Sequence, residues 1–156
     1  MNELRRSLLR IACSAGALAV AATAGLLVTG RAWAAAAWNK AGFESKALAD
    51  ALKSLGATGA AESKDIAITA PDIAENGAVV PVAVTSRIPG TLQISIIAEK
   101  NPFPLAATFD IANGAEPYVS TRIKMGQTSD VWAVVKADGK VFSARKEIKI
   151  TVGGCG

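Results

Sequence analysis

The residues best suited to covalent chemistry stand at the end of the chain, in "TVGGCG". Cys155 follows Gly153 and Gly154 and precedes Gly156. The two glycines carry nothing to pack and leave the backbone wide freedom, so strand order is expected to end near Val152. Three Cα–Cα steps from Val152 to Cys155 reach at most about 10 Å, enough for the thiol to enter a narrow cleft in another protein. An ordinary thiol is only a few per cent thiolate at neutral pH, and the adjacent carboxylate of Gly156 disfavours the thiolate further. A glycine arm does not hold the sub-ångström geometry that a catalytic nucleophile needs. Cys155 is therefore poorly placed to catalyse and well placed to be carried to catalysis. Such a tethered thiol acquires a group in one active site and presents it to others. A disulfide between two chains and an incidental terminal cysteine are the alternatives.

Little else in the chain suggests chemistry. The 156 residues contain no histidine, which removes Ser-His and Cys-His pairs, an imidazole proton shuttle and an ordinary zinc or copper site. The acids Asp65, Asp72, Glu75, Glu99, Asp110, Glu116, Asp130, Asp138 and Glu147 are scattered, mostly beside turns, and read as solvated charges. There is no glycine-rich phosphate loop and no calcium loop. The expectation is thus no catalytic residue, no metal and no cofactor. Trp38, Trp132 and Tyr118 are too few for a stacking platform on nucleic acid.

The N-terminus reads as an export signal. "MNELRRSLLR" is basic, "IACSAGALAVAATAGLLVTG" is apolar, and Ala32-Trp33-Ala34 offers an A-x-A cleavage site, with Ala34 to Ala36 as a fallback. Arg5-Arg6, followed by Ser7, Leu8, Leu9 and Arg10, resembles the twin-arginine pattern, with Leu4 where Ser or Thr is usual. A general secretion signal is the alternative. Twin-arginine export implies a bacterial periplasmic protein that crosses the membrane folded and stays off it after cleavage. Arg10 stands where a lipoprotein signal needs leucine, which argues against lipidation of Cys13. Cleavage after Ala34 takes Arg5, Arg6, Arg10, Arg31 and Glu3, which leaves 13 basic against 12 acidic side chains. The mature charge is then no argument for nucleic acid or anionic membranes. Cys155 becomes the sole mature cysteine in an oxidising compartment, where a leftover cysteine means an intermolecular bond or a reactive thiol.

The elements that must position this thiol follow in order. In "NKAGFESKALADALKSLG", Phe43, Ala47, Leu48, Ala51, Leu52 and Leu55 fall at helical spacing and Gly56 ends the pattern. One amphipathic helix is predicted, followed by a small polar linker. From Asp65 the period switches to two. Strands centre on "DIAITA", "AVVPVAV", "TLQISIIAE", "PLAATFDI", "PYVSTRIKM", "VWAVVKA" and "VFSARKEIKITV". Leu92, Ile94 and Ile96 are expected on one face, as are Val119, Thr121, Ile123 and Met125. Phe142, Ala144, Ile148, Ile150 and Val152 share another face, interrupted by Lys146. Asn76-Gly77, Pro89-Gly90, Asn113-Gly114 and Asp138-Gly139 mark turns, the last a type I′ hairpin signal. Pro81 and Pro104 argue for edge strands or bulges. The fold class is mainly β, an immunoglobulin-like sandwich of about seven antiparallel strands preceded by one helix; a closed barrel is the alternative. Residues 1–34 are the signal, 35–62 the helix and linker, 63–152 the sandwich and 153–156 the arm.

A terminal "GGCG" behind an immunoglobulin-like domain and a twin-arginine-like signal resembles the SoxY family. The segments "ENGAVVPV", "EKNPFPLAATFDI", "AEPYVSTRIKM" and "VWAVVKADGKVFSARKEIKITVGGCG" look like that family's in the same order, from about Phe43 to the end. Family tails often read GGCGG, whereas here Gly156 alone follows the cysteine, which brings the carboxylate nearer the sulfur. The resemblance implies a covalent sulfur carrier of periplasmic thiosulfate oxidation, not itself an enzyme and binding no metal. Cys155 would be the attachment site, and Gly153, Gly154 and Gly156 the flexible arm. It also implies a heterodimer with a SoxZ-like β-sandwich subunit. The implied transient partners are a SoxAX-like haem enzyme, a SoxB-like hydrolase and a SoxCD-like molybdenum and haem enzyme. The alternative function is a periplasmic structural sandwich that uses Cys155 for an interchain disulfide.

Overall fold

The computed structural model describes residues 38–112 and 114–151. The chain divides into two compact units, Met1–Trp38 and Asn39–Gly156; all of the first except Trp38 lies outside the described residues, so the account concerns the second. Its elements are the helices α1 (Lys40–Phe43) and α2 (Leu48–Ser54), then β1 (Ala61–Glu62), β2 (Ile66–Thr69), β3 (Ile73–Ala74), β4 (Val80–Ser86) and β5 (Thr91–Ala98). The chain continues through β6 (Leu105–Asp110), β7 (Tyr118–Ile123), β8 (Ser129–Ala137) and β9 (Lys140–Ile150). No helix among the described residues is long and apolar enough to cross a membrane.

All seven expected strands are present, as β2 and β4 to β9. They form a sandwich. The larger sheet runs β1-β9-β8-β5-β6, with β3 also paired to β9, and the smaller runs β2-β4-β7. The pairs among the seven are antiparallel, while the two-residue β1 and β3 lie parallel to β9. Between the sheets, Val80, Val82 and Val84 of β4 face Ile94 and Ile96 of β5, Val131, Ala133 and Val135 of β8, and Ile148 of β9. Burying each such aliphatic side chain stabilises by about 1.5–3 kcal/mol, so this layer dominates the fold. Asp138 (φ 46°) and Gly139 (φ 75°) close the β8–β9 hairpin with both central residues at positive φ, as a type I′ turn requires.

The larger sheet is buried on its outer face too. Ile97, Leu105 and Val134 pack there against Ala51, Leu55 and Ala57. This explains why Ile96-Ile97-Ala98 breaks strict alternation: successive side chains enter two different cores.

Four expectations need correction. The single amphipathic helix is two helices, broken at Glu44–Ala47. Ser45 Oγ donates to the Gly42 carbonyl oxygen at 2.6 Å, which ends α1 locally. Ala47 is extended (φ −127°, ψ 146°) and exposed, and α2 restarts after it. Asn39 Nδ2 then donates to Ser54 Oγ and to the Ser54 carbonyl oxygen, tying the start of α1 to the end of α2. Gly56 does end the helix, at φ 67°: its N–H bonds the Lys53 carbonyl while Ala57 N–H bonds that of Leu52, a Schellman closure. Second, Leu92 does not join Ile94 and Ile96 on the core face. The β5–β8 register shifts between Thr91 and Gln93, and this bulge turns Leu92 outward. Buried Thr91 faces inward in its place, its Oγ1 donating to the Ile88 carbonyl and paired with Ser86 Oγ. Third, Pro81 lies in β4, the middle strand of its sheet, rather than at an edge. Its missing N–H is tolerated because β2 pairs only as far as Thr69 opposite Ala83. Pro104 meets the expectation: it leads into the edge strand β6 and accepts from Ala98 N–H. Fourth, β1 and β3 have no counterpart in the sequence reading, because two residues carry no period.

Candidate functional site

The predicted site residues Cys155, Gly153, Gly154 and Gly156 lie outside the described residues, as do Arg5, Arg6 and Ala34 of the export signal. The described residues define the root from which the tail leaves. Strand β9 is the longest among the described residues, and both of its edges are held to its last residues. On one side, β8 pairs with it up to Ser129 opposite Ile148. Thr128 adds one further rung: its Oγ1 accepts from Ile150 N–H at 2.9 Å and donates to the Ile150 carbonyl oxygen at 3.5 Å. On the other side, β3 supplies backbone acceptors. Lys149 N–H donates to the Asp72 carbonyl at 2.9 Å and Thr151 N–H to that of Ala74 at 3.2 Å.

The loops around this root are tied to one another. Met125 N–H donates to the Gly77 carbonyl oxygen at 2.7 Å. A Cβ on Gly77 would meet the Met125 carbonyl oxygen and the Ile150 side chain, so a glycine is needed for this approach. Asn101 bridges two loops, donating to the Lys124 carbonyl at 2.6 Å and accepting from Gly126 N–H at 3.1 Å. Lys146, the expected interruption on the core face of β9, turns its ammonium toward the sheet's rim. It donates to the Ala70 carbonyl at 2.6 Å and pairs with Asp72 at 3.0 Å. Ile73, paired with Lys149 in β3, is 57% exposed beside the root.

The scattered acids are placed structurally. Asp110 accepts from Gln93 Nε2 at 2.7 Å, and Glu99 from Trp132 Nε1 at 2.9 Å. Asp130 pairs with Arg145, whose guanidinium stands 5.5 Å from the Trp132 ring centroid. Among the described residues, no group of three or more His, Cys, Asp or Glu is arranged to hold a metal ion. Asp110 closes β6 and Asp130 is the second residue of β8, both next to loops, while Glu147 lies inside β9.

Sequence reasoning missed a groove of about 410 Å³ at the opposite end of β9. It lies between the end of α2 and the Asp138-Gly139 turn, with Leu55, Leu92 and Val141 as apolar lining and Asp110, Lys136 and Lys140 as charged lining. Ten residue steps along β9 separate it from the arm's root, about 33 Å at 3.3 Å per residue. Nothing in the sequence marks it, since it depends on the bulge that turns Leu92 out.

Comparison with known proteins gives a consistent picture. The family described as "Sulfur oxidation protein SoxY" matches residues 52–155, from within α2 to Cys155. The structure of the sulfur carrier protein SoxY from Chlorobium limicola f thiosulfatophilum is similar, at 42% sequence identity and TM-score 0.61. The match covers 69% of this chain and 94% of that one. The human F-spondin reeler domain matches at 12% identity and TM-score 0.38, covering 58% of this chain and 92% of its own. No curated protein matches the chain.

Proposed function

Because the chain belongs to the SoxY family, the sulfur carriers of the Sox system, we propose that it bears its cargo on Cys155 at the tip of an arm made by Gly153, Gly154 and Gly156. One observation carries this reading. Strand β9 is held on both edges through Ile150 and Thr151, and Cys155 follows four positions later, past two glycines. Four Cα–Cα steps span at most about 14 Å, so an enzyme that takes the thiol must bring its cleft to this end of the sandwich. Exposed Ile73 offers that enzyme an apolar contact next to the root.

The chemistry divides between the arm and its partners. Thiosulfate joins the Cys155 sulfur through a new S–S bond, with loss of the thiol proton and of two electrons to a SoxAX-like haem partner. A SoxB-like hydrolase adds the oxygen of water to the terminal sulfonate sulfur and breaks its S–S bond, which releases sulfate and leaves a persulfide on Cys155. A SoxCD-like enzyme oxidises the remaining sulfane sulfur. The chain supplies attachment and reach, and a SoxZ-like subunit is its standing partner in a heterodimer. Export through Arg5 and Arg6, with cleavage after Ala34, delivers it to the periplasm.

Intact mass of the mature protein, purified without reductant from thiosulfate-grown cells, tests the reading. Sulfur-containing adducts are expected, and all of them should vanish in Cys155→Ser. A bare thiol under turnover refutes the carrier, and a reducible dimer as the sole species supports the interchain disulfide instead.

A further inference from the structure

Strand β7 is an open edge. The smaller sheet ends on it, its register against β4 runs without a shift, and none of its six residues is proline. The other edges are blunted: β1 and β3 cover β9, β2 has four residues, and β6 pairs with β5 through a bulge. Ser86 N–H donates to the Pro117 carbonyl oxygen, so Val119, Thr121 and Ile123 take the bonds to β4 while Ser120 and Arg122 turn their backbone groups outward. Those outward groups have no hydrogen-bond partner among the described residues. At alternate positions the edge carries Glu116, Tyr118, Ser120, Arg122 and Lys124, all exposed. Glu116, Arg122 and Lys124 make no ion pair among the described residues. Tyr118, Ser120 and Arg122 stand opposite Thr85, Ala83 and Pro81 of β4, none of them charged. Arg87 follows β4 at the Glu116 end, and Lys100 precedes Asn101, which holds the Lys124 carbonyl at the other; neither makes an ion pair among the described residues.

We infer that β7 pairs with β7 of a second copy of this chain, antiparallel about a two-fold axis at Ser120. Set against itself in reverse, the row of side chains is its own complement: Glu116 meets Lys124 of the copy, Tyr118 meets Arg122, and Ser120 meets Ser120. Opposite charges attract across paired strands, and a guanidinium stacks favourably on a tyrosine ring. The outward groups of Ser120 exchange both bonds with those of the copy, and on the core side Val119 stands opposite Thr121. Tyr118 N–H is already held by the Glu116 carbonyl, so the ends of the row contribute side chains more than ladder bonds. A copy presents the reversed row by symmetry, and the contact is isologous and closes at two. The two-fold turns the copy end for end. Met125, next after Lys124, is tied to the Gly77 loop at the arm's root, so the two arms leave from opposite ends of the pair. The pair therefore needs no bond between Cys155 thiols and leaves β9 free.

Sedimentation velocity tests the assignment on the mature Cys155→Ser protein, purified from the producing cell with any subunit that accompanies it. One pair of strands lies at the small end of specific interfaces, so two copies of this chain per particle should form by about 1 mM protein. Glu116→Lys alone and Lys124→Glu alone each set like charges opposite one another and should weaken association at least about tenfold. The double exchange, Glu116→Lys with Lys124→Glu, restores the facing pair and should return the affinity to within about threefold of the parent. Ser120→Cys, then the sole cysteine of the mature chain, should link two copies through a short bismaleimide, far less so when Lys124→Glu is added. The exchange of charge changes nothing in the composition of the chain, so its rescue reports the register rather than stability. One copy per particle at every concentration, association unmoved by the single reversals, a double exchange that fails to restore it, or links from position 120 to a different protein alone overturns the proposal. None of these readouts involves Cys155, so such a failure leaves the carrier proposal standing.

Discussion

Thr128→Val isolates what holds the arm's root. Valine keeps the shape of threonine but removes the hydroxyl that bonds both backbone groups of Ile150. A net hydrogen bond contributes about 1 kcal/mol, and leaving the partly buried Ile150 N–H unpaired raises the cost to about 1–3 kcal/mol. Beyond Ser129 opposite Ile148 no ladder pairing with β8 remains, so Thr128 is the last hold on that edge. The loss should appear as opening of the end of β9. A penalty of about 1–2 kcal/mol corresponds to roughly 5- to 30-fold in the opening equilibrium.

Amide hydrogen exchange followed by NMR reads this directly. Ile150 loses its own acceptor and is a poor reporter. Lys149 and Thr151 are better, because they keep their acceptors in the segment 72–74. Both should exchange about 5- to 30-fold faster in Thr128→Val, while amides of α2 that open independently keep their rates. Two residues released from the strand would lengthen the arm by about 7 Å, so sulfur loading on Cys155 should survive. If Ile150 alone accelerates and Lys149 and Thr151 do not, β3 holds the root unaided and the two-edge clamp is wrong.

Three further outcomes follow from the same geometry. Gly42→Ala gains about 1 kcal/mol of helix propensity, but its Cβ would stand 2.5 Å from Ser54 Oγ and 2.9 Å from Leu105 Cδ2. Overpacking of about 1–3 kcal/mol outweighs the gain, and the melting temperature should fall by a few degrees; a rise would show that the helix pair yields. Lys146→Met should cost about 1 kcal/mol through the lost bond to the Ala70 carbonyl. Asp72→Asn should cost under about 0.5 kcal/mol, because Asp72 is 88% exposed; equal losses in urea titrations would contradict that division. Gly153→Val with Gly154→Val should leave the melting curve unchanged while slowing sulfur loading at least about tenfold, and equal loading rates would defeat the narrow-cleft argument.

The strands were legible because runs rich in Val, Ile and Thr recur between turn residues, with clear alternation in several of them. Val119, Thr121, Ile123 and Met125 fall as their spacing predicts, and Asp138-Gly139 forms the turn its dipeptide announces. What was not legible depended on particular hydrogen bonds and packing that a period does not carry. Whether Phe43 and Leu48 share a helix is decided by the Ser45 hydroxyl and by the approach of Ser54 to Gly42, which periodicity does not contain. Leu92 fits its alternating face equally well with or without the bulge that expels it. The two strands that guard the outer edge of β9 have two residues each, too few to show a period. The proposal for Cys155 rests on the sequence itself, a cysteine set among glycines in a chain with no histidine.

The distribution of charge in the body makes sense for a carrier on chemical grounds. Asp110, Glu99, Asp130 and Asp72 are each spent on a side chain of the sandwich itself, Gln93, Trp132, Arg145 and Lys146. A base fixed beside the thiol would favour the thiolate that attacks, and would thereby favour one step of the cycle over the others. A cation fixed there would instead retain the anionic sulfonate that a hydrolase must remove. Under the carrier proposal, a thiol passed among oxidation, hydrolysis and further oxidation is better served by a tether without a fixed base or cation, with each partner supplying its own electrostatics at the moment of reaction. Two edges of hydrogen bonds hold β9 through Thr151, and Val152 alone stands between that anchor and Gly153-Gly154, so the anchored strand and the glycine pair meet within two residues.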